Sequence, residues 1–293
     1  MWGWQPAMRL AAVLIALGAA PCAGAHDTPI QQGLHNIHGA KLYVESHGNG
    51  PPVVFLSGGM LSFDGNFSHQ RDEFAAHRTV IGIEQRSQGH SPDGPWSMSY
   101  QMMADDAAAL LEELHRGPVD IVGDSDGANV ALMVARDHPE LVRRIVASGG
   151  NLRSGLTAEE VAKRHAWTRE QLDAKLQQIT ASLPPALRDD YARSSPEGAG
   201  HWMTALAKFY FMWIEPVVMD VSDLKRISAP VLVIVGDHDF TSIADAAEMS
   251  NALPHGQLLV VPGAGHGKIT DRPRLVNLAI LEFLDSPDVA PTR

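Results

Sequence analysis

A serine in a short segment bounded by glycines could carry nucleophilic chemistry. Residues 123–127 read Gly-Asp-Ser-Asp-Gly, with Ser125 at the centre. The predicted strand at 119–122 precedes this segment, and small residues suited to the start of a helix follow it. A G-x-S-x-G turn between a strand and a helix holds a serine hydroxyl out at the sheet edge, where the helix N-terminus also directs its N–H groups. The pattern predicts that Ser125 is a nucleophile.

A serine hydroxyl needs a base to remove its proton, and that base needs a third group to orient it. His266 follows a predicted strand late in the chain, and Gly265 and Gly267 beside it would let a loop carry the imidazole to the serine. Asp237 and Asp239 follow an earlier strand. Spacing favours Asp239 as the partner of the imidazole and leaves Asp237 to shape the loop. The order Ser, Asp, His along the chain is that of hydrolases.

His238 lies between these two aspartates, so a metal site is the competing interpretation of the same segment. The sequence offers no further cluster of ligand residues near it. The single cysteine also excludes a cysteine-rich zinc or iron–sulfur site. We therefore expect no metal and no cofactor.

Acyl transfer through a serine also needs two N–H donors for the oxyanion. The backbone N–H of Asp126 is the first predicted donor. The second should come from the loop after the strand at 52–56, with Gly59 favoured and Met60 as the alternative. Carboxylates beside an oxyanion are unfavourable unless they point away or meet a cation. Asp124 and Asp126 therefore either accept backbone N–H bonds, or Asp126 pairs with a positive group of the substrate.

Short apolar runs alternate with helical patterns and supply the elements that must position these residues. Strands are predicted at 41–45, 52–56, 79–84, 119–122, 144–147, 231–235 and 258–261, and helices at 72–77, 102–114, 127–137, 244–253 and 273–284. Continuous apolar strands are typical of a parallel sheet buried on both faces. The predicted fold class is α/β, with a mostly parallel central sheet flanked by helices.

Residues 151–225 interrupt this alternation. Thr157 with Glu160, and Thr168 with Gln171, fit the capping box that begins a helix. We predict a helical cap insertion at 151–225 between two core segments, 26–150 and 226–293. The aromatic stretch at 201–214 should pack on the sheet and line the space beneath it. The residues predicted to contact substrate are Asp126, Trp202, Phe209 and Trp213.

The first 25 residues have the pattern of a secretory signal. Arg9 precedes an apolar run at 10–20, and Ala23 and Ala25 frame a cleavage site. A run this short cannot span about 30 Å of hydrocarbon. We expect cleavage after Ala25, no stable membrane insertion afterwards, and a secreted or periplasmic protein; an uncleaved anchor is the alternative.

Composition narrows the classes of partner. The 293 residues include 23 Lys and Arg against 34 Asp and Glu, giving a net charge of −11. Such a chain is a poor nucleic-acid binder, because the phosphate backbone must be neutralised by cations. A hydrophobic fraction of 45% predicts a globular rather than a disordered chain. The expected partner is a small molecule, and the sequence leaves the oligomeric state open.

Together these motifs resemble the α/β-hydrolase fold superfamily over nearly all of the chain after residue 26. The segments that carry the resemblance are 38–43, 50–56, the loop 84–91, the helix 106–112 and the serine turn. The resemblance implies a triad of Ser125, Asp239 and His266, and it places 151–225 where the family carries its helical cap.

Residues 125–127 and 149–151 are similar to the valacyclovir-hydrolase-like branch of that superfamily. The similarity implies that Asp126 binds the amino group of amino-acid esters. Four positions depart from the family patterns. Ser57 replaces the usual histidine of the oxyanion loop, Glu84 and Ser87 replace the usual aspartate and glycine of the loop 84–91, and Asp124 replaces a bulky aromatic residue. We predict a serine hydrolase of small carboxylic esters or related acyl compounds. The alternatives are an aminopeptidase, a lactonase or a C–C bond hydrolase on the same triad, or a ligand-binding homologue without turnover.

Overall fold

An eight-stranded sheet runs through the molecule. The computed structural model describes residues 32–287, so the predicted signal segment lies outside the described residues. The strands are β1 (Gly33–Ile37), β2 (Ala40–His47), β3 (Pro52–Leu56), β4 (Thr79–Glu84), β5 (Val119–Asp124), β6 (Val142–Ser148), β7 (Val231–Gly236) and β8 (Gly256–Val261). Their spatial order is β1-β2-β4-β3-β5-β6-β7-β8. β2 pairs antiparallel with β1 and β4, and the other pairings are parallel. The predicted mostly parallel sheet is confirmed.

Helices cover both faces of this sheet. The core helices are α1 (Phe63–Phe74), α2 (Tyr100–Glu113), α3 (Asp126–Asp137), α9 (Ile243–Ala252), α10 (Lys268–Asp271) and α11 (Pro273–Asp285). All five residues of β3 are buried. Since alternate side chains of a strand point to opposite faces, Val54 and Leu56 join one apolar cluster while Val53 and Phe55 join another. The parallel strands therefore sit between two cores, which hold their carboxyl ends rigidly at one edge.

The predicted helical cap lies between β6 and β7. Its helices are α4 (Ala158–His165), α5 (Arg169–Ser182), α6 (Pro185–Ser194), α7 (Trp202–Trp213) and α8 (Val221–Leu224). Both predicted capping boxes are present, with Thr157 accepting from Glu160 N–H and Thr168 from Gln171 N–H. The cap insertion in the predicted fold class is thus confirmed, and its first two helices begin where their sequence dictates.

A buried carboxylate fastens the cap to the core. Asp93, on the loop after β4, accepts hydrogen bonds from Lys208 Nζ at 2.6 Å and His201 Nε2 at 2.8 Å. Ser87 Oγ donates to it at 2.5 Å. Burial alone would raise the pKa of Asp93, but these hydrogen bonds outweigh it and lower the pKa to about 2. The contact therefore holds an ionised carboxylate at ordinary pH.

Among the elements that differ from the sequence prediction are α1 and β1. The helix predicted at 72–77 is wrong, because α1 begins at Phe63, after Ser62 caps it by accepting from Gly65 N–H, and ends at Phe74. Its buried side chains are spaced among polar residues that hide the apolar pattern. Strand β1 was not predicted, and it forms because it pairs with β2. Within residues 32–287, no helix is both long enough and apolar enough to cross a lipid bilayer.

Candidate active site

Ser125 lies at the sharp turn between β5 and α3. Its backbone angles are φ 53° and ψ −115°, a left-handed conformation that costs about 1–3 kcal/mol and persists only where the surroundings enforce it. The Ser125 N–H donates to the Ser148 carbonyl at 2.7 Å, which ties the turn to β6. The strand and the helix on either side therefore hold the hydroxyl in one position.

The three residues predicted to form a triad meet at the carboxyl edge of the sheet. His266, in the loop after β8, places Nε2 at 2.9 Å from Ser125 Oγ. Its Nδ1 lies 2.8 Å from Oδ1 of Asp239, which follows β7. Asp237 accepts instead from the Ala264 N–H at 3.1 Å and so shapes the loop. Such an array can remove the serine proton as the hydroxyl attacks a carbonyl carbon.

The Asp239 carboxylate is fully buried, whereas the His266 side chain is 29% exposed. Burial alone would raise the pKa of Asp239, but the hydrogen bond from His266 and the charge of Lys268 outweigh it, lowering the pKa to about 2. An ionised Asp239 keeps the proton of the neutral imidazole on Nδ1 and leaves Nε2 free to accept one. Phe240, which the sequence analysis missed, lies against the imidazole with ring centroids 4.0 Å apart and ring planes tilted by 32°.

The loop after β3 lies beside the serine. An ideal Cβ on Gly58 would be 3.2 Å from the Ser125 Cβ, and one on Gly59 would be 2.4 Å from Asp126 Oδ2. The Gly58 N–H donates to Asn66 Oδ1 at 2.7 Å, so it is already used within the protein. This arrangement leaves Gly59 and Met60 as the loop positions considered for the oxyanion. Met60 is buried with a positive φ of 66°.

Asp126 is the first residue of α3. The first N–H groups of a helix have no partner within the helix, so the Asp126 N–H is suitably placed to hold an oxyanion beside Ser125. Both predicted oxyanion positions, Gly59 and Asp126, therefore lie against the serine turn. Their catalytic role remains a prediction.

The Asp126 carboxylate faces the cap. Tyr100 Oη donates to Oδ1 at 2.8 Å, and Trp213 Nε1 donates to Oδ2 at 2.8 Å. Burial raises the pKa of Asp126 above its ordinary value, although both hydrogen bonds oppose that effect. The partners are thus neutral side chains, rather than the backbone N–H groups or the substrate amine considered from sequence.

Asp124 faces the core on the other side of Ser125. Ser148 Oγ donates to Asp124 Oδ1 at 2.7 Å, and Asn66 Nδ2 donates to Oδ2 at 3.2 Å. Lys268 Nζ lies 3.8 Å from Oδ1. Sequence reasoning did not find Lys268 or Asn66. The one available signal was that a carboxylate beside an oxyanion should meet a cation, but nothing in the sequence said which cation.

The other predicted substrate contacts separate into two groups. Trp213 reaches Asp126, whereas Phe209 packs behind it with ring centroids 5.8 Å apart. Phe209 is fully buried, so its predicted contact with substrate is wrong. Trp202 packs within the cap, donating from Nε1 to Thr180 Oγ1 at 2.9 Å and meeting the Tyr191 ring edge-on. The end of α7 near Trp213, and not its beginning, therefore lies over the serine turn.

Comparison with known proteins gives consistent matches. The alpha/beta hydrolase fold family profile matches residues 51–188, and the profile described as TAP-like protein matches residues 212–292. The non-heme chloroperoxidase of Streptomyces lividans is 29% identical over 85% of this chain and 97% of its own. The 2-(acetamidomethylene)succinate hydrolase of Mesorhizobium japonicum is 27% identical over 84% of this chain and 92% of its own.

A solved structure extends this likeness to three dimensions. Est816, described as an N-acyl homoserine lactone degrading enzyme, superposes with a TM-score of 0.67 at 25% identity. The superposition covers 85% of this chain and 99% of Est816. Together the two profiles match residues in both core segments. The chain belongs to the α/β-hydrolase superfamily.

Proposed function

We propose that this protein is a serine hydrolase that cleaves small carboxylic esters or related acyl compounds through Ser125, His266 and Asp239. The observation that carries the proposal is the unbroken array from Ser125 Oγ to His266 Nε2 at 2.9 Å and from His266 Nδ1 to Asp239 Oδ1 at 2.8 Å. A serine hydroxyl with such partners is an activated nucleophile. Relatives that include hydrolases support the reaction class.

The reaction follows from this geometry. Ser125 Oγ bonds to the carbonyl carbon while its proton passes to His266 Nε2. The N–H groups of Gly59 and Asp126 hold the oxyanion. When the intermediate collapses, the leaving alcohol takes the proton from Nε2 and an acyl-serine remains. Water then attacks the acyl carbon, Nε2 accepts its proton, and Ser125 recovers that proton as the acid departs.

The surroundings of Asp126 favour a neutral substrate over an amino-acid ester. Both carboxylate oxygens already accept from Tyr100 and Trp213, and the residue is only 4% exposed. A substrate ammonium would have to displace one of these donors. We therefore propose an uncharged ester or lactone whose apolar part lies against Trp213.

Labelling by a fluorophosphonate probe tests the reaction class. Wild-type protein should be labelled covalently, and Ser125→Ala should not be labelled while keeping its thermal unfolding temperature. The same pair would then be assayed on p-nitrophenyl esters, N-acyl homoserine lactones and amino-acid arylamides. An unlabelled but folded wild-type protein would refute the proposal, and turnover of arylamides alone would replace the esterase by an aminopeptidase.

We also propose that the protein is exported, because its first 25 residues have the pattern of a cleavable secretory signal. Expression of the full chain in a Gram-negative host, followed by cell fractionation and N-terminal sequencing, tests this proposal. The expected mature protein begins at His26. Protein recovered from the cytoplasm that still starts at the initiator methionine would contradict export.

A further inference from the structure

A lysine is buried beside the Ser125–His266–Asp239 array. Lys268, the first residue of α10, has no solvent-exposed surface. Its Nζ donates to Asp239 Oδ2 at 3.2 Å and to the His266 carbonyl at 3.1 Å. A fully buried ammonium is unfavourable unless charged and hydrogen-bonding partners compensate for the lost water. Both of these partners belong to the proposed catalytic array.

The space around this ammonium is shaped for it. Gly149, directly after β6, has a positive φ of 69°, and an ideal Cβ there would lie 2.5 Å from Lys268 Nζ. The same Cβ would lie 3.0 Å from His266 Cε1. A side chain at position 149 would therefore push on both the ammonium and the imidazole.

The ammonium also connects the two sides of the serine turn. Asp124 Oδ1 lies 3.8 Å from Lys268 Nζ, and Asp124 Oδ2 accepts from Asn66, whose own Oδ1 holds the Gly58 N–H. A continuous polar chain thus runs from Asp239 through Lys268 and Asp124 to the loop predicted to hold the oxyanion. A displacement of Lys268 would therefore disturb both Asp239 and the loop predicted to hold the oxyanion.

The positive and negative charges around Lys268 are equal in number only when His266 is protonated. The groups that face Lys268 are Asp239, from the loop after β7, and Asp124, from β5. Asp126 of α3 also acts on the imidazole, but from the cap side. With neutral His266, two core-side carboxylates face one ammonium, and the imidazolium formed during the reaction completes the balance. Removing the ammonium would leave the negative charge of these carboxylates at the imidazole without a fixed counter-charge.

We propose that Lys268 is a positioning residue that orients Asp239 and, by countering the charges of Asp239 and Asp124, sets the electrostatic potential at the His266 imidazole. It does not touch the reacting atoms. The proposal rests on the proposed function, because it concerns the same array. It predicts that Lys268 and Asp124 act on His266 with opposite sign.

The test is the pH profile of kcat/KM for p-nitrophenyl acetate. Lys268→Met should lower kcat roughly 10²-fold, since the acid loses a fixed position, and should move the acid limb up by about one pH unit. Asp124→Asn, which is nearly isosteric, should move the limb down. The double variant restores the wild-type charge and should return the limb close to its wild-type position.

Two controls separate this role from a merely structural one. Lys268→Arg keeps the cation, so the limb should stay in place even if crowding beside Gly149 lowers kcat. Thermal unfolding of each variant reports folding, and Asp124→Asn carries the test alone if Lys268→Met does not fold. Folded variants with unmoved limbs would overturn the proposal while wild-type fluorophosphonate labelling persists. Loss of that wild-type labelling would instead overturn the proposed function.

Discussion

Two aspartates flank Ser125, and their surroundings differ in kind. Asp124 faces the core, where Ser148, Asn66 and the ammonium of Lys268 surround it. Asp126 faces the cap, and its two oxygens accept from neutral donors, Tyr100 of the core helix α2 and Trp213 of the cap helix α7. The core side holds a cation beside its carboxylates and is built on strand ends, whereas the cap side depends on a helix of the insertion. The core side should therefore govern the chemical step, and the cap side should govern substrate binding and stability.

The largest expected effect is on the core side. Asp239→Asn cannot accept from both His266 and Lys268 as the carboxylate does, so the imidazole loses its fixed orientation. We expect kcat on p-nitrophenyl esters to fall about 10³- to 10⁴-fold with little change in KM. Steady-state kinetics with Asp237→Asn as the matched control measures the difference. Comparable losses in the two variants would contradict the assignment of Asp239 as the acid.

A smaller effect is expected where the cap meets the serine turn. Trp213→Phe keeps an aromatic ring but removes the N–H that donates to Asp126 Oδ2. The buried oxygen left without that donor should cost about 1–3 kcal/mol of unfolding free energy. Because the ring also borders the proposed substrate site, KM should rise more than kcat falls. Urea unfolding and steady-state kinetics together test this prediction. A loss of kcat without a rise in KM would mean that Trp213 acts in the chemical step and not in substrate binding.

Asp126 itself should respond to pH in the opposite sense to Asp93. Burial raises the pKa of Asp126, so ionisation weakens the fold progressively as pH rises above the ordinary value near 4. In Asp126→Asn the amide oxygen can accept from Trp213, and the amide NH₂ can donate to Tyr100 Oη. We expect this variant to be more stable than wild type by about 1 kcal/mol at pH 8.5 and by less at pH 4.5, with turnover of neutral esters within about threefold of wild type.

Asp93→Asn is the control for that measurement. The pKa of Asp93 is lowered to about 2, so its ionised form stabilises the fold above pH 4, and that contribution is lost only as pH falls through 2. Asp93→Asn should therefore be destabilised by similar amounts at pH 4.5 and 8.5. If Asp126→Asn behaved in the same way, the cap-side carboxylate would be stabilising after all and the contrast between the two sides would fail.

Elements with a local sequence pattern were predicted, whereas elements that depend on distant partners were not. Strands β3 and β7 are continuous apolar runs, and the strand predicted at 79–84 coincides with β4. The capping boxes at Thr157 and Thr168 are local patterns and were predicted correctly. Helix α1 was misplaced because its buried phenylalanines are separated by polar residues, and β1 was missed because pairing with β2 stabilises it. Elements set by local pattern are readable from sequence, and elements set by partners are not.

Contacts between residues far apart in the sequence likewise limited how much of the candidate site could be predicted. Glycine-bounded turns after strands identified Ser125 and His266, because strand ends of a parallel sheet share one edge. Nothing local linked Lys268 to Asp124, which meet only when the loop after β8 folds against β5. The donors to Asp126 come from α2 and from the far end of the cap. Such contacts are properties of the packed fold, so the sequence indicated a need for partners without identifying them.

The smallest effect is expected inside the cap. Trp202 and Trp213 begin and end the same helix, but Trp202 donates to Thr180 and packs against Tyr191 within the cap. Trp202→Phe should lower the unfolding free energy by about 1 kcal/mol through the lost hydrogen bond, yet leave kcat/KM for p-nitrophenyl butyrate within about twofold of wild type. Trp213→Phe measured alongside should show the larger rise in KM. A rise in KM for Trp202→Phe as large as that for Trp213→Phe would mean that substrate reaches the beginning of α7, and the cap side would then extend well beyond its contact with Asp126.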